Sequence, residues 1–542
     1  MRLPTPLTVA SRTSFWWLMP PSDEEKYSYL GTPQHRWLFW FSAVAMAGVA
    51  VSWVGLATQS YWTLALLLPL VLLVAEQLMS LRTSTFRRRL SLTDHAATVE
   101  LWDPDQVPSI DVFIPTCGED MDVLANTSHH VRNLAWPGEL KVHILDDAGR
   151  EEVRSLAAHN GFEYLARPGN EYKKAGNLQH AYERTSGEHV VIFDADFVPR
   201  ADFLLELLPY MDDPTVGIVQ SPQHFHTDRS MPWLERCAGA TQELFYRFIQ
   251  PSRDAVGGAI CVGTSAVYRR KALDAIGGFP LIGHSEDVYT GLYTQEHGYQ
   301  LKYVPTLVSR GQSPTDIDSF IAQQYRWCKG SMSLLAADSF HTALFLTLRQ
   351  RMSFWSGFLY YMSTAMMALL APIPLLVMAF LFPQNVAPVN SLPLLGALIL
   401  WLIVLPALSH GRWRPDVLRV QTIYSFAHLF CIADLFRGLV SEWVPTGSTS
   451  ATVGVGQRVR SFMGPYILST QALTLIGLAL GSYRFGLDQY WAAIALFALS
   501  AYVFVPVGTL AVGWRRTTAA HRAAVRPRVG TSMLRTAMGG IQ

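Results

Sequence analysis

The chain has 542 residues, of which 50% are hydrophobic and 16% charged, and its formal net charge is +1. A soluble domain carries about 25% charged residues, so a wholly soluble protein is excluded. The near-neutral balance excludes a nucleic-acid partner. The five scattered cysteines, at 117, 237, 261, 328 and 431, exclude a disulfide framework and a cysteine-built zinc site.

In chain order, 1–36 reads as a cytoplasmic N-terminal segment. It lacks a cleavable signal pattern, because Asp23, Glu24, Glu25 and Lys26 precede the first apolar run. Trp16 and Trp17 suit an amphipathic stretch at the membrane interface. Two spans, about 37–57 and 61–81, make a membrane segment over 37–82, since roughly 20 apolar residues cross a bilayer. Glu76 is its one acidic residue, either near the interface or lining a polar path. Arg82, Arg87, Arg88 and Arg89 follow and mark the cytoplasmic side, which places the soluble-looking stretch 83–350 in the cytoplasm.

Within that stretch, apolar strands are expected at 109–115, 140–147, 162–168, 189–196 and 216–222, with helices such as 119–134 and 174–185 between them. Alternation of this kind predicts an α/β sheet covered on both faces, with ligands beyond the carboxyl ends of the strands. Asp146-Asp147 and Asp194/Asp196 lie at such ends. On a strand, Asp194 and Asp196 would share a face. They suit Mg²⁺ or Mn²⁺ carrying a nucleotide diphosphate; the alternative is a solvated loop pair. Lys173-Lys174-Ala175-Gly176-Asn177 supplies cations at a helix start, suited to a diphosphate. Glu286-Asp287 reads either as acidic residues favoured by a helix N-terminus or as a general base with a raised pKa. Gln323, Arg326 and Trp327 fall on one helical face, as a sugar platform or as a face docking on the membrane. His224 and His226 read as ordinary residues near the site, and His129 and His130 as helix residues.

From Met352 to His410 there is no Lys, Arg, Asp or Glu. Four spans are expected within 351–514, at about 356–382, 391–409, 464–482 and 489–513. The segment 418–440 reads as an interfacial helix, followed by a loop at 442–457. The tail 515–542, with Arg515, Arg516 and Arg522, is expected in the cytoplasm.

Five motifs in this order resemble the processive family 2 glycosyltransferases, closest to bacterial cellulose synthase catalytic subunits. They are Asp-Asp, Lys-Ala-Gly-Asn, Asp-x-Asp, Glu-Asp and Gln-x-x-Arg-Trp, flanked by membrane helices. The resemblance implies a GT-A-like (Rossmann-like) cytoplasmic domain inserted in a helical membrane domain of the inner membrane. It implies that Asp146 and Asp147 bind the uridine of a UDP-sugar, that Lys174, Gln323 and Arg326 meet the donor and its diphosphate, and that Asp194 and Asp196 hold Mg²⁺ or Mn²⁺. Asp287 is then the base, and Trp327 with Val262, Gly263 and Thr264 binds the acceptor. "EWVPTGS" (442–448) resembles a gating loop. The implied product is a growing β-linked polysaccharide such as cellulose, made from UDP-glucose and moved across the lipid membrane, with room for accessory export or envelope proteins. Other β-glycans, a non-processive lipid glycosyltransferase, or a transporter with a nucleotide-binding domain are the alternatives. Departures lie in Ile260-Cys261-Val262-Gly263-Thr264, in Trp443 and Pro445, in Ser285, and in two front spans where more are usual. The short tail leaves no room for a PilZ domain, so independence of cyclic dinucleotides is expected.

Overall fold

A computed structural model describes residues 18–32, 35–83, 90–228, 230–409, 414–439 and 453–513. Its centre is a seven-stranded sheet. The strands are β1 Ile110–Thr116, β2 Leu140–Asp146, β3 Glu163–Leu165, β4 His189–Ile192, β6 Val216–Gln220, β7 Ala266–Arg269 and β8 Gln300–Tyr303, in the order β3-β2-β1-β4-β7-β6-β8. β5 Phe197–Pro199 and β9 Ser309–Gly311 form a separate antiparallel pair. β7 runs antiparallel to both neighbours, and the other pairings in the sheet are parallel. This is the GT-A-like α/β arrangement expected. β1 and β4 are apolar and buried along their length because helices cover both faces. The buried acidic residue among them is Asp111, which accepts from the Gly187 amide at 2.6 Å, His143 at 3.1 Å and Arg270 at 3.0 Å.

Residues 18–32 pack on this domain. The Leu18 carbonyl accepts from Asn126 at 3.0 Å, Asp23 pairs with Arg200 at 2.6 Å, and Glu25 pairs with Arg310. Lys26 lies against Asp202 at 2.7 Å and against Glu206, and its carbonyl takes the Leu307 amide at 2.7 Å. These bonds hold the segment over the β5/β9 pair.

Six helices among the described residues are long and apolar enough to cross a membrane: Arg36–Ala57, Tyr61–Thr83, Leu348–Leu381, Pro388–Leu408, Gly454–Phe485 and Leu487–Gly513. Their number and order match the expected spans, and the chain is a multi-pass membrane protein. The helix Val417–Phe436 is not among them. It packs against the helices Ile317–Leu335, Leu348–Leu370 and Trp233–Leu244. The loop expected at 442–457 lies outside the described residues as far as 452, and the chain is helical from Val453. Trp16, Trp17, Trp443, Pro445 and the basic tail also lie outside them.

Candidate active site

One cleft opens beyond the carboxyl ends of β1, β2 and β4. It encloses about 1180 Å³ of open space, its solvent-filled mouth included. Of the residues singled out from sequence, it is lined by Asp147, Lys174, Asp194, Asp196, Val262, Asp287, Gln323, Arg326 and Trp327. Asp146, Gly263 and Thr264 lie behind its wall.

β4 ends at Ile192, so Asp194 and Asp196 are not strand residues, and strand alternation does not bring them together. A turn does. The Phe197 amide donates to the Asp194 carbonyl at 2.9 Å, and β5 begins at once. The Asp194 amide donates to Thr264 Oγ1 at 2.8 Å, which pins the turn from below. Lys174 Nζ lies 2.5 Å from Asp194 Oδ1, 3.0 Å from the Gly263 carbonyl and 3.7 Å from Glu286. Burial works against its charge, but Asp194 and Glu286 outweigh burial and hold the ammonium above the usual lysine range. The Asp196 carboxyl is pushed up to about 7 by burial and by the neighbouring Asp194 and Glu119. Carboxylates that raise one another in this way suit a cation.

No cluster of three or more His, Cys, Asp or Glu is poised for a metal among the described residues. A hard divalent ion commonly takes one or two carboxylates and fills its shell with water and substrate phosphate. The all-oxygen pair Asp194 and Asp196 fits that pattern.

Asp146 lies beneath the cleft. It is fully buried and accepts from the amides of Ala148 at 3.1 Å and Arg150 at 2.6 Å, and from the Tyr164 hydroxyl at 3.2 Å. It therefore shapes the turn that presents Asp147. Asp147 receives Arg167 through two bonds, Nε at 2.7 Å and Nη2 at 2.9 Å. The same guanidinium donates to the carbonyls of Glu171 and Lys173, each at 2.9 Å. Arg167 was not evident from sequence. Its one trace was an arginine about twenty positions beyond the Asp-Asp pair, closing the β3 region.

Asp287 stands in the first turn of the helix Glu286–Glu296 and accepts from the Val288 amide at 2.8 Å. Burial and the adjacent Glu286 push its carboxyl up to about 7, with Lys174 pulling the other way. Two glycines fix its position. Gly263 has φ +74°, a conformation glycine adopts freely, and a Cβ there would meet the Asp287 side chain at 2.9 Å. A Cβ on Gly330 would meet Ser285 Oγ at 1.7 Å and Cβ at 2.5 Å. Helix Ile317–Leu335 thus lies directly on the loop that leads into Asp287.

That helix begins at Asp316, whose side chain caps it by accepting from the Ser319 amide at 2.9 Å. One face brings Gln323, Arg326 and Trp327 to the cleft, as their spacing predicts. The opposite face buries Ile317 and Ile321 among the membrane-domain helices, and Phe320, near the start of the helix, joins the same core. Tyr325 donates to Asp434 at 2.8 Å, and Asp318 pairs with Arg460 at 2.7 and 3.1 Å. The motif's three residues thus line the cleft, while other residues of the same helix pack on the membrane-domain helices.

The loop 260–264 hangs on three glutamines. Gln220 Oε1 accepts from the Val262 amide at 3.0 Å, and Gln223 Nε2 donates to the Val262 carbonyl at 2.7 Å. Gln250 holds Ile260 at its carbonyl (2.8 Å) and amide (3.1 Å). Sequence reasoning missed all three, because the two sides of each bond lie 10 to 42 residues apart.

Residues 189–410 match a family model described as glycosyl transferase family group 2. The chain is 33% identical over 371 residues to cellulose synthase 1 of Komagataeibacter xylinus, covering 66% of this chain and 23% of that protein. It is 31% identical over 260 residues to the UDP-forming cellulose synthase catalytic subunit of Xanthomonas axonopodis pv. citri, covering 47% and 36%. The chain thus spans well under half the length of these curated relatives. Among solved structures, the mannosyltransferase PcManGT of Pyrobaculum calidifontis, in complex with GDP-Man and Mn²⁺, is 18% identical. It overlays with a TM-score of 0.48 over 72% of this chain and 99% of that one, a likeness that adds nothing to the strand order above. The strand order, the cleft and the sequence relatives agree: the chain carries a family 2 glycosyltransferase domain of GT-A-like fold, within a helical membrane protein that resembles cellulose synthase catalytic subunits.

Proposed function

We propose that the protein is a processive, inverting glycosyltransferase that lengthens a β-linked polysaccharide from a UDP-sugar, most simply UDP-glucose. The cleft faces the cytoplasm, and the spans pass the polymer across the inner membrane. The observation that carries this reading is the helix Ile317–Leu335, which offers Gln323, Arg326 and Trp327 to the cleft while its other face is built into the membrane domain.

In this reading Asp147 and its surroundings take the nucleoside, and Lys174 and Arg326 answer the diphosphate. Asp194 and Asp196 would hold a divalent ion, which neutralises charge on a departing diphosphate when bound. Trp327 stacks the terminal sugar of the acceptor. Asp287, kept partly protonated near neutral pH, can take the proton of the acceptor hydroxyl that attacks the anomeric carbon. The three glutamines keep the loop 260–264 rigid behind it, with Val262 facing the acceptor. Bonds of this kind hold reacting groups in attack geometry, which is worth several orders of magnitude in rate.

The test is to incubate membranes containing the protein with labelled UDP-glucose and other UDP- and GDP-sugars. A long, insoluble product that β-glucanase digests supports the reading. A labelled lipid as the sole product, or no transfer from any donor, refutes it.

A further inference from the structure

Tyr172 and Lys173 are consecutive non-glycine residues in the left-handed region, with φ +56° and +53°. Side chains rarely accept this conformation, and surroundings must impose it. Arg167 imposes it here, by gripping the carbonyls of Glu171 and Lys173 on either side of Tyr172 while locked onto Asp147. The result is an aromatic ring 49% exposed on the wall of the cleft. Of the other aromatic residues lining the cleft, Phe197 and Phe225 are buried, 3% and 6% exposed. Trp327, the remaining one, comes from the helix Ile317–Leu335.

Strand order gives Tyr172 its place. Arg167 ties its loop to Asp147, at the end of β2, whereas Asp194 follows β4, two strands away across β1. Neighbouring strands lie about 4.8 Å apart, so the two ends of the cleft are separated by roughly 10 Å. That is the length of a nucleoside. Lys174, two residues on from Tyr172, reaches Asp194 at 2.5 Å and links the two ends.

We infer that Tyr172 is the stacking platform for the donor's base, and that Arg167 is the clamp that holds it in place. The inference rests on the nucleotide-sugar reading above and gives the nucleoside end of the cleft its own recognition element. A flat π-face binds a planar base with little regard to which base it is. Discrimination among bases then falls to hydrogen bonds from neighbouring groups. Base–aromatic stacking lost to truncation is worth roughly 5- to 150-fold in affinity.

The test uses the full chain in detergent with Mg²⁺, and measures affinity for UDP and for inorganic diphosphate. Tyr172→Gly removes the ring and relieves the backbone at φ +56°, so its melting temperature should equal or exceed that of wild type. UDP affinity should fall at least about fivefold, diphosphate affinity should hold, and Tyr172→Phe should bind UDP as wild type does. Undiminished UDP affinity in Tyr172→Gly overturns the inference. Equal loss of UDP and diphosphate affinity also overturns it, because it makes the residue a prop for the lysines. Wild-type protein that ignores UDP overturns the donor assignment itself, and this inference with it.

Discussion

Replacing Gly330 with alanine tests how tightly the base loop and the Gln-x-x-Arg-Trp helix are joined. The new Cβ would lie 1.7 Å from Ser285 Oγ and 2.5 Å from Ser285 Cβ. Rotation of the serine can remove the first clash but not the second. Ordinary contact begins near 3.4 Å, so helix and loop must part by about 0.9 Å. Overpacking of this kind costs about 1–3 kcal/mol of stability. The separation also moves Trp327 away from Asp287, and a misplacement near 1 Å can cost about 10²-fold in rate. Polymer synthesis by Gly330→Ala should therefore fall about a hundredfold while UDP affinity stays near wild type. Ser285→Gly removes both clashing atoms and leaves Cα at 3.9 Å, and glycine adopts the φ of +54° that Ser285 holds. The double variant should regain most of the lost rate. The assay is polymer yield from labelled donor beside UDP binding, for wild type, both single variants and the double. Wild-type activity in Gly330→Ala, or a double variant no better than Gly330→Ala alone, would refute the reasoning.

Asp194→Asn and Asp196→Asn should each abolish transfer and the metal dependence of UDP binding, as metal titration of the purified variants would reveal. Trp327→Ala should bind UDP normally and make little or no polymer; lost UDP binding would instead put the indole in the donor pocket. Asp287→Asn should lose about 10²–10⁴-fold in rate with UDP affinity retained. Since the Asp287 carboxyl is raised to about 7, its base form accumulates as pH rises through neutrality. The kcat/KM of wild type should therefore fall about tenfold per pH unit below 7, where an ordinary aspartate would stay ionised to about pH 4. A flat profile between pH 5 and 8 would remove Asp287 from the role of base.

The strands, the six spans and the place of the cleft were legible because each depends on a local pattern. Continuous apolar runs mark buried strands, charge-free runs mark spans, and carboxylates at strand ends mark the ligand edge. Asp147 was brought to the cleft in this way, Lys174 by a cationic helix start and Trp327 by helical spacing. The argument for Asp194 and Asp196 relied on strand alternation, whereas a turn and the short strand β5 bring them to the cleft. Asp146 resembled its neighbour in sequence, but the alternation of β2 turns it inward, where it shapes the loop. The antiparallel β7, the docking of residues 18–32, the glutamine cradle and the Arg167 clamp were not legible. Each is a pairing between distant segments, and neither half carries a pattern of its own. Gly330 was not legible either, because its purpose depends on Ser285, 45 positions earlier.

The two-faced helix bears on how this protein can be taken apart. A cut after residue 350 would leave Ile317, Phe320 and Ile321, each fully buried here, facing water. Full burial of such side chains is worth about 1.5–3 kcal/mol apiece. The cut would also strip Asp434 from Tyr325 and Arg460 from Asp318. A domain trimmed at the membrane would begin sticky and end with the helix that carries Gln323, Arg326 and Trp327 to the cleft unsupported. Chimaeras that exchange specificity between such enzymes should carry the helices Ile317–Leu335 and Val417–Phe436 together, because the seam of this protein runs through a helix rather than between domains.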